Sequence, residues 1–414
     1  MDKITVNEKS ILRELAKRYA EIAADKSNTE RIARIRKING LTPQRPPVWI
    51  DEIPWHEMDI DGQLTLQCRN PQARNMEFFF RSALFRWKYF QADMVAEDTY
   101  YIQKSFDSTG FGLAVNEQIL STDQNNRVVS HHFVDQLDSE DKLEQLSLPV
   151  VTARPDKDNE ELMFANEILT DILPVKLRGH GIFYSIWDRI CHYRGVEPIL
   201  YDMVDRPQLL HLTISRFCEL YSSLYLQMEK LGLVDYNLKT LHCTPPYCND
   251  LPAPDFSGVP RLKDVWFRGA SQIFATVSPA ALQEFDLDYT EKFMEKCRLV
   301  YYGCCEPLDN KIHLLKRVPN MRKIGVSPWA NVRSCAEQIG PDYVYSRKPN
   351  PAHVVGIFNA DEVKKETSMV LEACLEFKCP LEFTLKDIST VSYKPQNLIE
   401  WNRTVQETID KYYR

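Results

Sequence analysis

The feature that most constrains this chain is the regular alternation of short apolar runs and amphipathic helical patterns through its C-terminal third. Helix-like periodicity covers Pro279 to Lys296, Lys311 to Val318, Val332 to Ile339, Asp361 to Lys378 and Gln396 to Tyr413. Between these stand strand-like runs at Leu299 to Tyr302, Lys323 to Val326, Tyr343 to Tyr345 and Leu381 to Leu385. Strands joined by helices are expected to lie parallel, because only a long crossover returns the chain to the same end of a sheet. Upstream, further strands are predicted at Val48 to Ile50, Met94 to Ile102, Phe111 to Val115, Val175 to Leu177, Leu238 to His242 and Phe267 to Val277. Helices are predicted over residues 70–90, Ile186 to Tyr193 and Pro207 to Leu231. The number of units fits an α/β fold closed as a (β/α)8 TIM barrel better than an open sheet. No G-x-G-x-x-G run follows any strand, so a dinucleotide-binding sheet is disfavoured.

The first forty residues read as helix, with Ile11, Leu12, Leu15, Tyr19 and Ile22 on one stripe and a stop at Asn39-Gly40. The expected organisation is an N-terminal helical extension over 1–45 and a barrel domain over 46–414, with an irregular lobe around 116–147. Lys and Arg total 51 against 58 Asp and Glu, a formal charge of -7, which lacks the basic footprint of a nucleic-acid partner. No apolar run reaches membrane-spanning length and the N-terminus is charged, so a cytoplasmic protein is expected. The eleven cysteines are read as reduced thiols, most of them small core residues.

In a barrel the loops after the strands converge over one mouth, so chemistry is sought at the strand ends. The strand at Val175 delivers Arg178 and His180, with the aromatics Phe183, Tyr184 and Trp187 close behind as a flat substrate slot. The strand at Leu238 delivers His242, Cys243 and Cys248. The strand at Leu299 runs into Tyr302, Cys304, Cys305 and Glu306, where adjacent thiols beside a carboxylate suit a thiolate ligand or a proton-handling group. Later strands deliver Ser327 and Trp329, then Arg347, Lys348 and Asn350, then Lys386 and Asp387. His180, His242, Cys304, Cys305 and Glu306 are the candidate catalytic set. Arg178, Phe183, Tyr184, Trp187, Tyr302, Trp329, Arg347 and Lys348 are the candidate substrate contacts, and His242 with Cys305 the candidate zinc ligands.

Three stretches resemble the uroporphyrinogen decarboxylase superfamily: RPPVW at Arg45 to Trp49, the block from Ile168 to His211 containing LPVKLRGHGIFYSIWDRICHYRG, and Ala280 to Pro351 with LVYYGCCEPL and YVYSRKPNP. The resemblance implies a (β/α)8 barrel that pairs as a homodimer. True decarboxylases carry arginines for substrate carboxylates just after the first strand, where this chain reads Asp51-Glu52-Ile53-Pro54-Trp55. The thiol-methylating relatives carry a His-x-Cys pair and a late Cys for zinc; Cys305 matches one ligand, while Gly303 holds the histidine place and Thr384-Leu385-Lys386-Asp387 the region of the late cysteine. The branch left is the corrinoid-dependent methyltransferases of the O-demethylase methyltransferase I type. It implies transfer of a methyl group from a small donor, an aryl methyl ether, to the cobalt(I) of a corrinoid (cobalamin) held by a partner protein, with zinc as a candidate second cofactor. Two other classes remain open: a decarboxylase or lyase clamping a small acid through Arg178, Arg347 and Lys348, and a noncatalytic binding barrel.

Overall fold

The computed structural model describes residues 4–121, 123–124, 126 and 128–413. In chain order its strands are β1 (Val48–Ile50), β2 (Tyr100–Gln103), β3 (Phe106–Ser108), β4 (Glu117–Leu120), β5 (Ser130–Phe133), β6 (Val151–Ala153) and β7 (Val175–Arg178). They continue with β8 (Ile182–Phe183), β9 (Trp266–Gly269), β10 (Leu299–Tyr302), β11 (Met321–Val326), β12 (Val344–Arg347) and β13 (Leu381–Leu385). Seven of them form one parallel sheet in the order β1-β13-β12-β11-β10-β9-β8. Helices separate the C-terminal strands, as the alternation requires.

The expected closed barrel is not formed. A parallel pair, β2 with β7, stands beyond the edge strand β8, and no ladder joins β2 to β1 among the described residues. The physical reason lies on the free edge of β1, whose backbone groups are already engaged. Val48 N–H donates to Asp93 Oδ2 at 2.7 Å, Asp93 N–H donates to the Val48 carbonyl at 2.7 Å, and Arg86 Nη2 donates to the Ile50 carbonyl at 2.9 Å. With these groups engaged by Asp93 and Arg86, the edge of β1 is not free to template another strand.

Side chains alternate between the two faces of the sheet, as the strand period of two demands. Phe267, Val300 and Tyr302 point into the large core under the helices. Trp266, Leu299 and Tyr301 point the other way and meet Leu238, Leu241 and Cys248 in a separate cluster inside the curl. That inner face also carries charge. Lys323 Nζ donates to Glu382 at 2.8 Å, Ser346 Oγ donates to the same carboxylate at 2.6 Å, and Lys348 Nζ donates to Ser346 Oγ at 2.7 Å. Buried charges persist only when paired and hydrogen-bonded, and this chain across three neighbouring strands meets that condition.

The N-terminal helical pattern is two helices, Val6–Ala23 and Ser27–Asn39. The break falls where polar side chains compete with the helix: Asp25 accepts from Ser27 N–H at 2.8 Å and Asn28 Nδ2 donates to the Ile22 carbonyl at 2.8 Å. Leu12, Leu15 and Tyr19 of the first helix pack on Met76 and Phe80 of the helix Pro71–Tyr89. Within 116–147 lie the antiparallel hairpin β4–β5 and a short helix, Glu140–Glu144. Two predicted strands are absent. Residues 111–115 carry no ladder; Phe111 is a buried anchor against Tyr221, between glycines at positive φ. The stretch 238–242 ends in a tight turn that places two of the site residues. Among the described residues no helix is long and apolar enough to cross a membrane.

Candidate functional site

Leu241 N–H donates to the Thr244 carbonyl at 2.7 Å, and Thr244 N–H donates back at 3.3 Å. The two residues between them, His242 and Cys243, have φ of 41° and 68°. A two-residue turn with both central residues left-handed favours Asn and Gly, and side chains such as His and Cys cost of order 1–3 kcal/mol each there. The strain is held by Pro245 and Pro246 on one side and by the buried Leu238 and Leu241 on the other. Its result is to present both side chains at the C-terminal ends of β10 and β13.

There they meet a compact charged cluster. His242 Nε2 and Cys305 Sγ each lie 3.6 Å from Cys304 Sγ. Lys386 Nζ donates to Cys304 Sγ at 3.1 Å and to Asp387 Oδ1 at 2.9 Å. The Cys305 thiol lies between the Cys304 sulfur and Asp387 Oδ2, the latter at 2.8 Å. Glu52 ties the first and last loops together, accepting from Asp387 N–H at 2.8 Å and from the Cys243 thiol at 3.1 Å. Contact with the Cys305 thiol holds Cys304 well below the usual thiol range, against the cost of burial and with help from His242, Arg268 and Lys386. Cys305 is driven upward, first by the Cys304 sulfur and then by burial. Burial works against the Lys386 charge, but Cys304, Cys305, Asp387 and Glu52 together outweigh it and raise that group. Both shifts favour a Cys304 thiolate beside a Lys386 ammonium, a buried pair 3.1 Å apart in which each supports the charge of the other.

Beneath the cluster lie carboxyl groups of the opposite tendency. Glu306 Oε2 accepts from Cys304 N–H at 2.9 Å, and burial followed by the Cys304 charge pushes Glu306 up to about 8. Burial lifts Asp286 to about 7, although it accepts from Tyr302 OH at 2.6 Å. Asp188, which accepts from Gln272 N–H at 2.9 Å, is lifted by burial to about 6.

Next to the thiols opens a cavity of about 520 Å³, walled by β7, β8 and the segment from Leu238 to His242, with Arg268 of β9. This volume suits a small organic ligand. The ring of Phe183 tilts over His242 at 4.9 Å, and His242 is the one cluster residue that also lines the cavity. No Asp or Glu lines it, whereas Arg178, Lys239 and Arg268 do.

The structure brings His242, Cys304 and Cys305 together, with Glu306 directly below. His180 sits on the cavity wall instead, its Nε2 2.7 Å from the Lys104 carbonyl and its ring edge-on to Phe106. Phe183 and Arg178 line the cavity; Arg178 spans Glu97 with bonds of 3.1 and 2.6 Å. Tyr184 and Trp187 do not form the expected slot. Tyr184 stacks on Phe293 and donates to the Cys218 carbonyl at 3.1 Å, while Trp187 is fully buried and donates to the Phe285 carbonyl at 2.7 Å. Both are drawn into the core because the chain turns from β8 into the helix Ile186–Arg194 with its apolar face inward. Tyr302 points outward under the helices, Trp329 is 71% exposed, and Arg347 is occupied by Ser327 and Glu366, each at 2.6 Å. Lys348 is an inner-face residue, lowered by burial to about 8.

The metal donors that converge are Glu52, His242 and Cys243, within 4.8 Å of one another, rather than His242 with Cys305. One nitrogen, one sulfur and one carboxylate oxygen are a donor set that zinc accepts, with a fourth position open. Arg268 and Lys239 were missed by sequence reasoning, although an arginine inside the apolar run Val265-Trp266-Phe267-Arg268 was a usable signal. No protein-family model matches the chain, and neither does any curated protein.

Proposed function

We propose that this chain is a methyltransferase that removes a methyl group from a small donor, an aryl methyl ether, and passes it to the cobalt(I) of a corrinoid carried by a partner protein. The observation that carries the reading is the junction of an aromatic-walled cavity with the cluster of His242, Cys304, Cys305 and Lys386. The resemblance of residues 168–211 and 280–351 to the corrinoid-dependent branch of the uroporphyrinogen decarboxylase superfamily supports it. In such a transfer the methyl–oxygen bond breaks with its electron pair left on oxygen, the reduced corrinoid of the partner would supply the electron pair for the new bond to carbon, and the released phenolate takes up a proton. His242 stands on the cavity wall beside the Cys304 sulfur, and burial holds its imidazole below the ordinary histidine range, so it meets the released oxygen as a neutral hydrogen-bond donor while the proton itself is taken from water. Phe183 packs the donor ring, and the preformed Lys386–Cys304 pair needs no reorganisation as charge develops. Zinc at Glu52, His242 and Cys243 would supply Lewis-acid polarisation of the ether oxygen.

The test is to mix the protein with a reduced corrinoid protein and a panel of methoxylated aromatics, following the visible spectrum of the cobalt and the release of phenol. Spectral change with stoichiometric phenol is expected. Neither signal, with a corrinoid partner shown to be active by another route, overturns the reading. A second reading, decarboxylation or lysis of a small carboxylic acid, is favoured by one observation, the cationic wall of the cavity. Release of carbon dioxide from such acids without any corrinoid would select it.

A further inference from the structure

Arg268 is completely buried on the inner face of the sheet, where it lines the cavity. Nη1 donates to the neighbouring Gly269 carbonyl, while Nε and Nη2 have no hydrogen-bond partner. Its guanidinium lies 4.5 Å from the centre of the Tyr301 ring and 5.6 Å from that of Phe183. No described carboxylate forms a salt bridge with it, and the Cys304 thiolate shares its field without a hydrogen bond. Lys239 likewise makes no hydrogen bond or salt bridge with a described residue; its ammonium stands 5.1 Å from the Phe79 ring and opens on the same cavity. Arg178, the third cation of the wall, is already held by Glu97. A buried guanidinium without a counter-ion is costly unless a ligand completes it, whereas the exposed Lys239 only adds positive charge at the rim; two parallel free N–H groups match a carboxylate in geometry.

We propose that Arg268, with Lys239 adding positive charge, forms a carboxylate subsite, and that the ligand of this cavity is a small aromatic acid rather than a neutral aromatic. The aromatic body follows from the rings of Phe183, Tyr101 and Phe79 on the wall. This names the substrate class for the site assigned above and rests on that assignment only for the chemistry that follows binding. The measurement therefore needs no corrinoid partner, and its failure is distinct from a failure of methyl transfer.

The experiment is calorimetry and thermal melting of the full chain with benzoate, methyl benzoate and inorganic phosphate. Benzoate is expected to bind, with methyl benzoate and phosphate weaker by about tenfold or more, the equivalent of one charge-assisted hydrogen bond. Lys239→Met should weaken benzoate without lowering the melting temperature of the ligand-free protein. Arg268→Lys keeps the charge but loses the fork and should weaken benzoate further. Equal binding of the ester, preference for phosphate, no binding of benzoate, or benzoate binding untouched by both substitutions would each overturn the subsite.

Discussion

The two sides of the mouth solve the problem of buried charge in opposite ways. On the thiol side every charged group meets an opposite one: Lys386 faces Cys304, Asp387 and, at 3.9 Å, Glu52. On the cavity side Arg268 and Lys239 have no salt-bridge partner: ring faces lie against them, and Arg268 shares the field of Cys304 and Glu306 without a hydrogen bond to either. The first arrangement is complete without a ligand and maintains a thiolate at rest. The second is incomplete and costs stability until an anion arrives. A site that keeps its reactive group saturated and its binding wall unsaturated spends ligand affinity where the ligand sits and keeps its chemistry preorganised.

Replacing a cation on each side gives the sharpest contrast. Lys386→Met strands the buried Cys304 thiolate and is expected to cost about 3–5 kcal/mol in denaturant unfolding, with loss of activity. A second break in the comparison comes from pH. Glu306, Asp286 and Asp188 have folded pKa values raised to about 8, 7 and 6. Raised acids contribute stability that is complete below the unfolded carboxyl range, near pH 4, and is lost as pH rises through 6 to 8. Glu306→Gln and Asp286→Asn together should flatten that fall by roughly 1 kcal/mol or more per pH unit near neutrality, as read from unfolding at several pH values. The smallest effect is on the open side. Arg268→Met removes a cation that has no salt-bridge partner and only shares the field of Cys304, and should change stability by about 1 kcal/mol at most. A loss as large as that of Lys386→Met would erase the distinction between the two sides.

Part of this arrangement is legible in the sequence. The C-terminal strands fall where the alternation puts them, and Cys304, Cys305, Lys386 and Asp387 meet because the ends of β10 and β13 lie on one side of the sheet, whereas His242 reaches them from a turn. What escaped sequence reasoning depended on contacts between distant segments. Asp93 and Arg86 take the free edge of β1 and leave the sheet open, and nothing in Val48-Trp49-Ile50 announces that. Leu238 to His242 has the composition of a strand, but the turn at His242-Cys243 is imposed by packing of Leu238 and Leu241 inside the sheet. Trp187 looked like a slot residue from its neighbours in sequence; helix phase, not proximity to β8, sends it into the core. Lys386 and Asp387 were visible as strand-end polar residues, but their pairing with two cysteines more than 80 positions away was not.

The most direct test of this division of labour is a crystal structure of the protein soaked with 4-methoxybenzoate. The account predicts the carboxylate within hydrogen-bond distance of Arg268 Nε and Nη2, the ring against Phe183, and the Lys386–Cys304 pair undisturbed. A carboxylate bound by Lys386 in place of Cys304, or a ligand that enters the cavity with its carboxylate away from Arg268, would contradict it.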